Sequence, residues 1–184
     1  ARTRVRMQAV ARSLSVAGRV RRAAGRKAVA GTPTRAMANQ YPIQKTEAEW
    51  KSQLNDFEYA VLRQKATEPP RSGEYDGFYP PEGHFVCRGC GKPLYSAESK
   101  FKSGCGWPAF DKCYKDSVAI EVDNSFGMRR VEILCAGCGG HLGHVFEGER
   151  FTATNERHCV NSVSVKYVEG APEGAPAEDK VVPK

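Results

Sequence analysis

The sequence predicts a mainly β domain with one N-terminal helix, and three features predict it. Apolar residues recur at helical spacing once, in a stretch that begins near Thr46. From Pro69 onward the apolar runs are short, β-branched and punctuated by Gly and Pro. Two Cys-x-x-Cys pairs lie far apart among those runs, as they do where a metal staples a small β domain.

The helix has a start signal. In Thr46-Glu47-Ala48-Glu49 the Thr hydroxyl can cap a backbone N–H while Glu49 reaches back. Trp50, Leu54, Phe57 and Val61 follow on one stripe, which reads as core packing, and Pro69-Pro70 closes the stretch. A helix over about 47–65 is predicted. Residues 118–122, 127–134, 142–146 and 159–168 read as strands. Asp123-Asn124-Ser125 reads as the turn between the first two. Residues 169–184, rich in Ala, Pro, Glu and Lys, read as a disordered tail.

At 184 residues the chain can bury a substantial core. No apolar run is long enough for a membrane-crossing helix. The net charge of +7 first suggests a polyanion partner, but its distribution argues otherwise. Residues 1–38 carry nine Arg and one Lys, and the first acid is Glu47. The rest holds 18 basic residues against 21 acids, a balance of −3. The domain at 39–168 therefore has no evident nucleic-acid surface. Residues 1–38, basic and without acids, read as an organelle transit segment, for chloroplast or alternatively mitochondrion. A basic nucleic-acid arm is the other reading.

Cys87-Arg88-Gly89-Cys90-Gly91 and Cys135-Ala136-Gly137-Cys138-Gly139 are near copies. Two residues between thiolates let one turn present both sulfurs to one ion. Four thiolates suit tetrahedral zinc, and a closed set of protein ligands is structural. Iron fits the same spacing. Two redox dithiols would need a strand–helix setting that neither copy has.

Cys105, Cys113 and Cys159 remain. At the start of a strand, period-2 geometry puts Arg157, Cys159 and Asn161 on one face and His158 and Val160 on the other. A guanidinium and an amide beside the thiol help it ionise; a buried inert cysteine is the competing reading. Cys105 lies between two glycines, Gly104 and Gly106, in a loop able to move, with Trp107 and Phe110 around Pro108. Those aromatics also suit a core. Cys113 reads as a bystander and His84 as structural. His141 and His144, in a Gly-rich stretch that follows Cys138, are not needed by a completed tetrahedron and read as pocket acids or donors.

In this order and spacing, residues 87–90, 103–110, 135–146 and 157–162 resemble the B-type methionine sulfoxide reductases. The likeness covers about residues 43–168. It implies two twisted antiparallel sheets with the helix packed outside, and reduction of methionine R-sulfoxide, free or in proteins. By the resemblance Cys159 is the nucleophile, and Cys105 resolves its sulfenic acid as a disulfide that thioredoxin recycles. Cys87, Cys90, Cys135 and Cys138 match the ligands of one structural zinc. Trp107 would pack the substrate methyl group, His141, His144 and Asn161 would organise the sulfoxide and a water, and Arg157 would help hold the thiolate. Two places depart from the commonest family pattern. His158 stands where many members have Tyr or Phe, and Glu147-Gly148-Glu149 stands where many have Asp-Gly-Pro. Plant-like members share such replacements, in agreement with a plastid leader.

The expected partners are thus oxidised proteins or free methionine sulfoxide and a thioredoxin, with no nucleic acid and no membrane, and the chain is expected to be a monomer. A zinc-stapled binding module would share the architecture and the aromatic pocket but lack a nucleophilic cysteine on the last strand. A zinc-ribbon nucleic-acid binder would want basic residues at the metal loops.

Overall fold

The protein is described from a computed structural model covering residues 41–123, 130–174 and 176–182. The transit-like segment 1–38 lies outside these residues, as do Asn124 and Ser125 of the expected turn.

Two helices, α1 (Glu47–Gln53) and α2 (Asp56–Gln64), replace the single one expected. Thr46 and Glu49 form the anticipated capping box. A second box follows: Asn55 Oδ1 accepts the Glu58 N–H at 2.9 Å, and the Glu58 carboxylate accepts the Asn55 N–H at 3.0 Å. Leu54 is extended between them, so the helical phase restarts. Trp50, Leu54, Val61 and Leu62 still reach the core, but Phe57 is turned outward and is 49% exposed.

The strands are β1 (His84–Cys87), β2 (Pro93–Ser96), β3 (Lys100–Phe101), β4 (Ala109–Phe110), β5 (Cys113–Tyr114), β6 (Val118–Asp123), β7 (Arg130–Cys135), β8 (His141–Glu147), β9 (Glu156–Val160), β10 (Val165–Val168) and β11 (Glu178–Asp179). All the pairings are antiparallel. One sheet has the order β10-β1-β2 and a larger one β3-β4-β9-β8-β7-β6. The core draws on both: Phe85, Leu94, Tyr95 and Val165 from the first, Phe110, Ile133, Val145 and Val160 from the second. Tyr95 stacks on Phe110 with centroids 4.2 Å apart, and Phe85 meets Phe110 edge-on at 5.1 Å. Burying each such ring contributes about 1.5–3 kcal/mol.

The expected strand 159–168 is interrupted. A 3₁₀ turn at Ser162–Ser164 separates β9 from β10, which therefore join different sheets. The Ser162 and Val163 N–H groups donate to the Glu68 carboxylate, 94 and 95 positions away, instead of extending the ladder.

The C-terminal segment departs from its disordered expectation. β11 pairs with β5, which makes a third, two-stranded sheet. The Val181 and Val182 N–H groups each donate to the buried Glu156 carboxylate at 3.0 Å. Composition marked these residues as polar, but a buried acid with backbone donors in reach holds them.

Candidate functional site

The two cysteine pairs occupy matching turns at the ends of β1 and β7. The Gly91 N–H returns to the Cys87 carbonyl and the Gly139 N–H to the Cys135 carbonyl, both at 2.8 Å. Gly91 and Gly139 have φ of 77° and 69°, a left-handed conformation that favours glycine after the second cysteine. The four sulfurs lie within 4.8 Å of one another. Cys87 is 3.7 Å from Cys138, and Cys90 is 3.5 Å from Cys135. A tetrahedral ion with metal–sulfur bonds of about 2.3 Å needs sulfurs about 3.8 Å apart, so the cage fits. The cluster could hold a metal ion, and its four protein ligands would leave no open position. Both helices brace it: Gln53 Nε2 donates to the Gly89 carbonyl at 2.5 Å and Arg63 Nη1 to the Cys138 carbonyl at 3.2 Å.

A second thiol pair lies on the larger sheet, apart from the metal cage. Cys159 sits on β9, opposite His144 on β8 and Ala109 on β4. The residue paired with the next position, Val160, must be small, because a Cβ on Gly143 would stand 2.0 Å from the Cys159 carbonyl oxygen. Cys105 hangs over the strand from a loop whose Gly104 and Gly106 have φ of 78° and 95°. The Cys105 and Cys159 sulfurs are 3.7 Å apart. Both cysteines are half-buried.

The pair holds its protons unequally. Cys105 falls to about 5, first because Cys159 donates to it, with help from the Ser103 hydroxyl 3.1 Å away and the Arg157 charge. Cys159 is pushed up, because its proton bonds to Cys105 and because it is the more enclosed; Arg157 opposes this. The two sulfurs titrate as one unit, with the first proton lost readily and the second retained.

A cavity of about 140 Å³ opens over Cys159, lined by Thr67, Trp107, Gly143, His144, Phe146, Cys159 and Asn161. Cys105 does not line it. Trp107 forms a wall, its indole N–H bonded to the Glu68 carbonyl at 3.1 Å. His144 faces the cavity. His141 stands behind it with ring centroids 5.7 Å apart, buried, its Nδ1 2.7 Å from Glu132. Burial pushes the Glu132 carboxyl up, but hydrogen bonds from His141 and Lys65 outweigh this and leave it lowered. Asn161 lies in the floor, yet its amide is largely committed to backbone. Oδ1 accepts the Glu68 N–H and Nδ2 donates to the Leu142 carbonyl, both at 3.0 Å. The Arg157 guanidinium lies 4.5 Å over the Phe146 ring and binds Glu149 with both prongs, at 2.6 and 2.8 Å.

The structure thus gathers Cys159, Trp107, His144 and Asn161 at the cavity, with Cys105 and Arg157 beside Cys159 and His141 one layer back. His158 is fully buried on the opposite face of β9, as the alternation requires, bonded to Glu156 at 2.9 Å. His84 bonds the Gly170 carbonyl at 2.7 Å, and Cys113 is buried beside β11. Four participants escaped the sequence reading: Thr67, Glu68, Phe146 and Glu149. Glu149 carried a signal, an acid eight residues before an arginine in a Gly-turned segment; Glu68 carried none.

Comparison with known proteins agrees with this geometry. The SelR domain model matches residues 54–169. A rice protein (Oryza sativa subsp. japonica) named peptide methionine sulfoxide reductase B5 is 52% identical over 125 residues, 67% of this chain and 90% of its own. A second rice protein, peptide methionine sulfoxide reductase B3, chloroplastic, is 52% identical over 127 residues, 68% of this chain and 54% of its own, so the chain spans about half of that relative. A Methanosarcina mazei protein named peptide methionine sulfoxide reductase MsrB is 47% identical over 130 residues, 70% of this chain and 91% of its own. With a four-cysteine cage, a thiol pair at an aromatic-walled cavity and a SelR domain across most of its length, the chain belongs to the B-type methionine sulfoxide reductase family.

Proposed function

We propose that this protein reduces methionine R-sulfoxide, free or within proteins, to methionine, with Cys159 as nucleophile and Cys105 as resolving thiol. The observation that carries the reading is two sulfurs 3.7 Å apart at a cavity of about 140 Å³ that Cys159 lines and Cys105 does not. A side chain held against Trp107 meets Cys159 first.

In the resting pair the charge lies on Cys105 and the proton on Cys159. Transfer of that proton along their hydrogen bond leaves the charge on Cys159, beside Arg157. The Cys159 thiolate attacks the sulfoxide sulfur, the S–O bond breaks, and His144 supplies the proton to the departing oxygen. The hydroxyl so formed passes to the Cys159 sulfur as the bond between Cys159 and the substrate sulfur breaks, so methionine leaves with that electron pair and Cys159 becomes a sulfenic acid. Cys105 then attacks the Cys159 sulfur, releases water and closes a disulfide. A dithiol of the thioredoxin class reduces it by exchange and is itself oxidised. Closing the bond brings the sulfurs to about 2.05 Å, a movement that the Gly104 and Gly106 loop can absorb.

Zinc is the ion the buried thiolate quartet suits best, as a staple without a redox role. His141, with Glu132 on its Nδ1, orients His144 from behind and does not meet the substrate. The basic residues 1–38, together with a relative named chloroplastic, favour a plastid over a mitochondrion.

The test uses purified wild type and Cys159→Ser with separate R- and S-sulfoxides of methionine and a thioredoxin system. Wild type should reduce the R form and Cys159→Ser should not. Full activity in Cys159→Ser would falsify the assignment.

A further inference from the structure

We infer that Glu68 is a positioning residue that fastens the wall of the cavity to its floor. It lies in the irregular segment after α2, and its side chain is buried, with 3% of the residue exposed. Four hydrogen bonds leave it in three directions. Its backbone carbonyl accepts the Trp107 indole N–H at 3.1 Å. Its backbone N–H donates to Asn161 Oδ1 at 3.0 Å. Its carboxylate accepts the Ser162 N–H at 2.5 Å and the Val163 N–H at 3.1 Å, which caps the 3₁₀ turn that follows the nucleophile strand.

The neighbouring residues extend the same clasp. Thr67 lines the cavity, and the Arg71 N–H donates to the Gly106 carbonyl at 2.6 Å, inside the Cys105 loop. Space behind the carboxylate is closed: a Cβ on Gly73 would lie 2.3 Å from the Ser162 Cβ and 2.7 Å from Glu68 Oε1. Among the described residues no cation pairs with Glu68. A buried acid held only by backbone N–H groups carries a desolvation cost that a merely space-filling residue would avoid. Its geometry gives the reason for keeping it. The wall and floor of the cavity come from segments far apart in the chain, and Glu68 bonds both.

The consequence rests on the sulfoxide reductase reading. Trp107 walls the cavity and Asn161 shapes its floor before any electron moves, so loosening the clasp weakens substrate binding more than chemistry. Glu68→Gln keeps the shape but sets an amide N–H₂ against a backbone donor, so one bond is lost. In the full chain, KM for methionine R-sulfoxide should rise about tenfold, while the single-turnover rate at saturation stays within about threefold of wild type. The exposed neighbour change Glu74→Gln should leave both unchanged.

A second measurement does not need catalysis. Exchange of the Trp107 indole proton with solvent, followed by NMR, should be slow in wild type and about tenfold faster in Glu68→Gln. A folded Glu68→Gln protein with wild-type KM and wild-type indole exchange overturns the inference. So does rapid Trp107 exchange in wild type, which needs no variant. If wild type fails to reduce the sulfoxide while indole exchange still depends on Glu68, the clasp stands and the proposed activity falls.

Discussion

Cys105 and Cys159 behave as one acid with two sulfurs. The shared proton and the nearby Arg157 charge let a thiolate form well below the range of a free thiol, which ionises near 8.5. The sign follows from the lowered group: the thiolate is present above about 5 and is lost as pH falls through it. Alkylation of Cys105 in the reduced protein should therefore stay fast from neutral pH down to about 5 and collapse below. A midpoint near the free-thiol value would contradict the pair geometry. Several of these residues were legible one by one. Cys159 stood out once the quartet was set aside, and strand alternation separated it from His158. Glu68 was not legible, because its value comes from Asn161, 93 positions away. Asn161 lines the cavity, but its backbone bonds leave little of its amide for the sulfoxide contact expected of it.

At the scale of elements, local signals succeeded where they were read fully. Thr46-x-x-Glu49 marked α1, but the equivalent Asn55-x-x-Glu58 box that splits the helix went unread, and one helix was expected over about 47–65. The interruption between β9 and β10 was hidden, because β-branched residues on both sides mimic one continuous strand and the deciding partner, Glu68, is remote. The C-terminal strap was hidden for the same reason. Its composition is that of a solvated tail, while its donors meet a buried acid on β9. Burial raises the Glu156 carboxyl, but His158 and the Val181 and Val182 N–H groups outweigh it and hold it lowered. Deleting residues 177–184 leaves that carboxylate with His158 alone and should cost about 1–3 kcal/mol. Thermal unfolding should show Tm falling by about 3–8 °C. An unchanged Tm would mean the strap carries no stability.

For the whole molecule, the cysteine cage ties the end of β1 in one sheet to the end of β7 in the other. Its sulfurs stand apart from Cys105 and Cys159, whose sulfurs lie 3.7 Å apart over the larger sheet. Stripping the metal with a strong chelator at neutral pH should lower thermal stability sharply and abolish activity together with the fold, and adding zinc should restore both. Activity that survives complete metal removal would refute a structural role for the cage. The architecture as a whole was legible as mainly β with a stapling quartet, because metal-ligand spacing and turn residues are local. The strand order was not, since β3 and β4 reach β9 only through non-local pairing. The central claim concerns sulfur chemistry, and thiol mapping by mass spectrometry after one equivalent of methionine R-sulfoxide tests it most directly. The account predicts a single disulfide between Cys105 and Cys159, with Cys87, Cys90, Cys135 and Cys138 still metal-bound and Cys113 a free thiol. A disulfide within the quartet, or an unmodified Cys159, would contradict it.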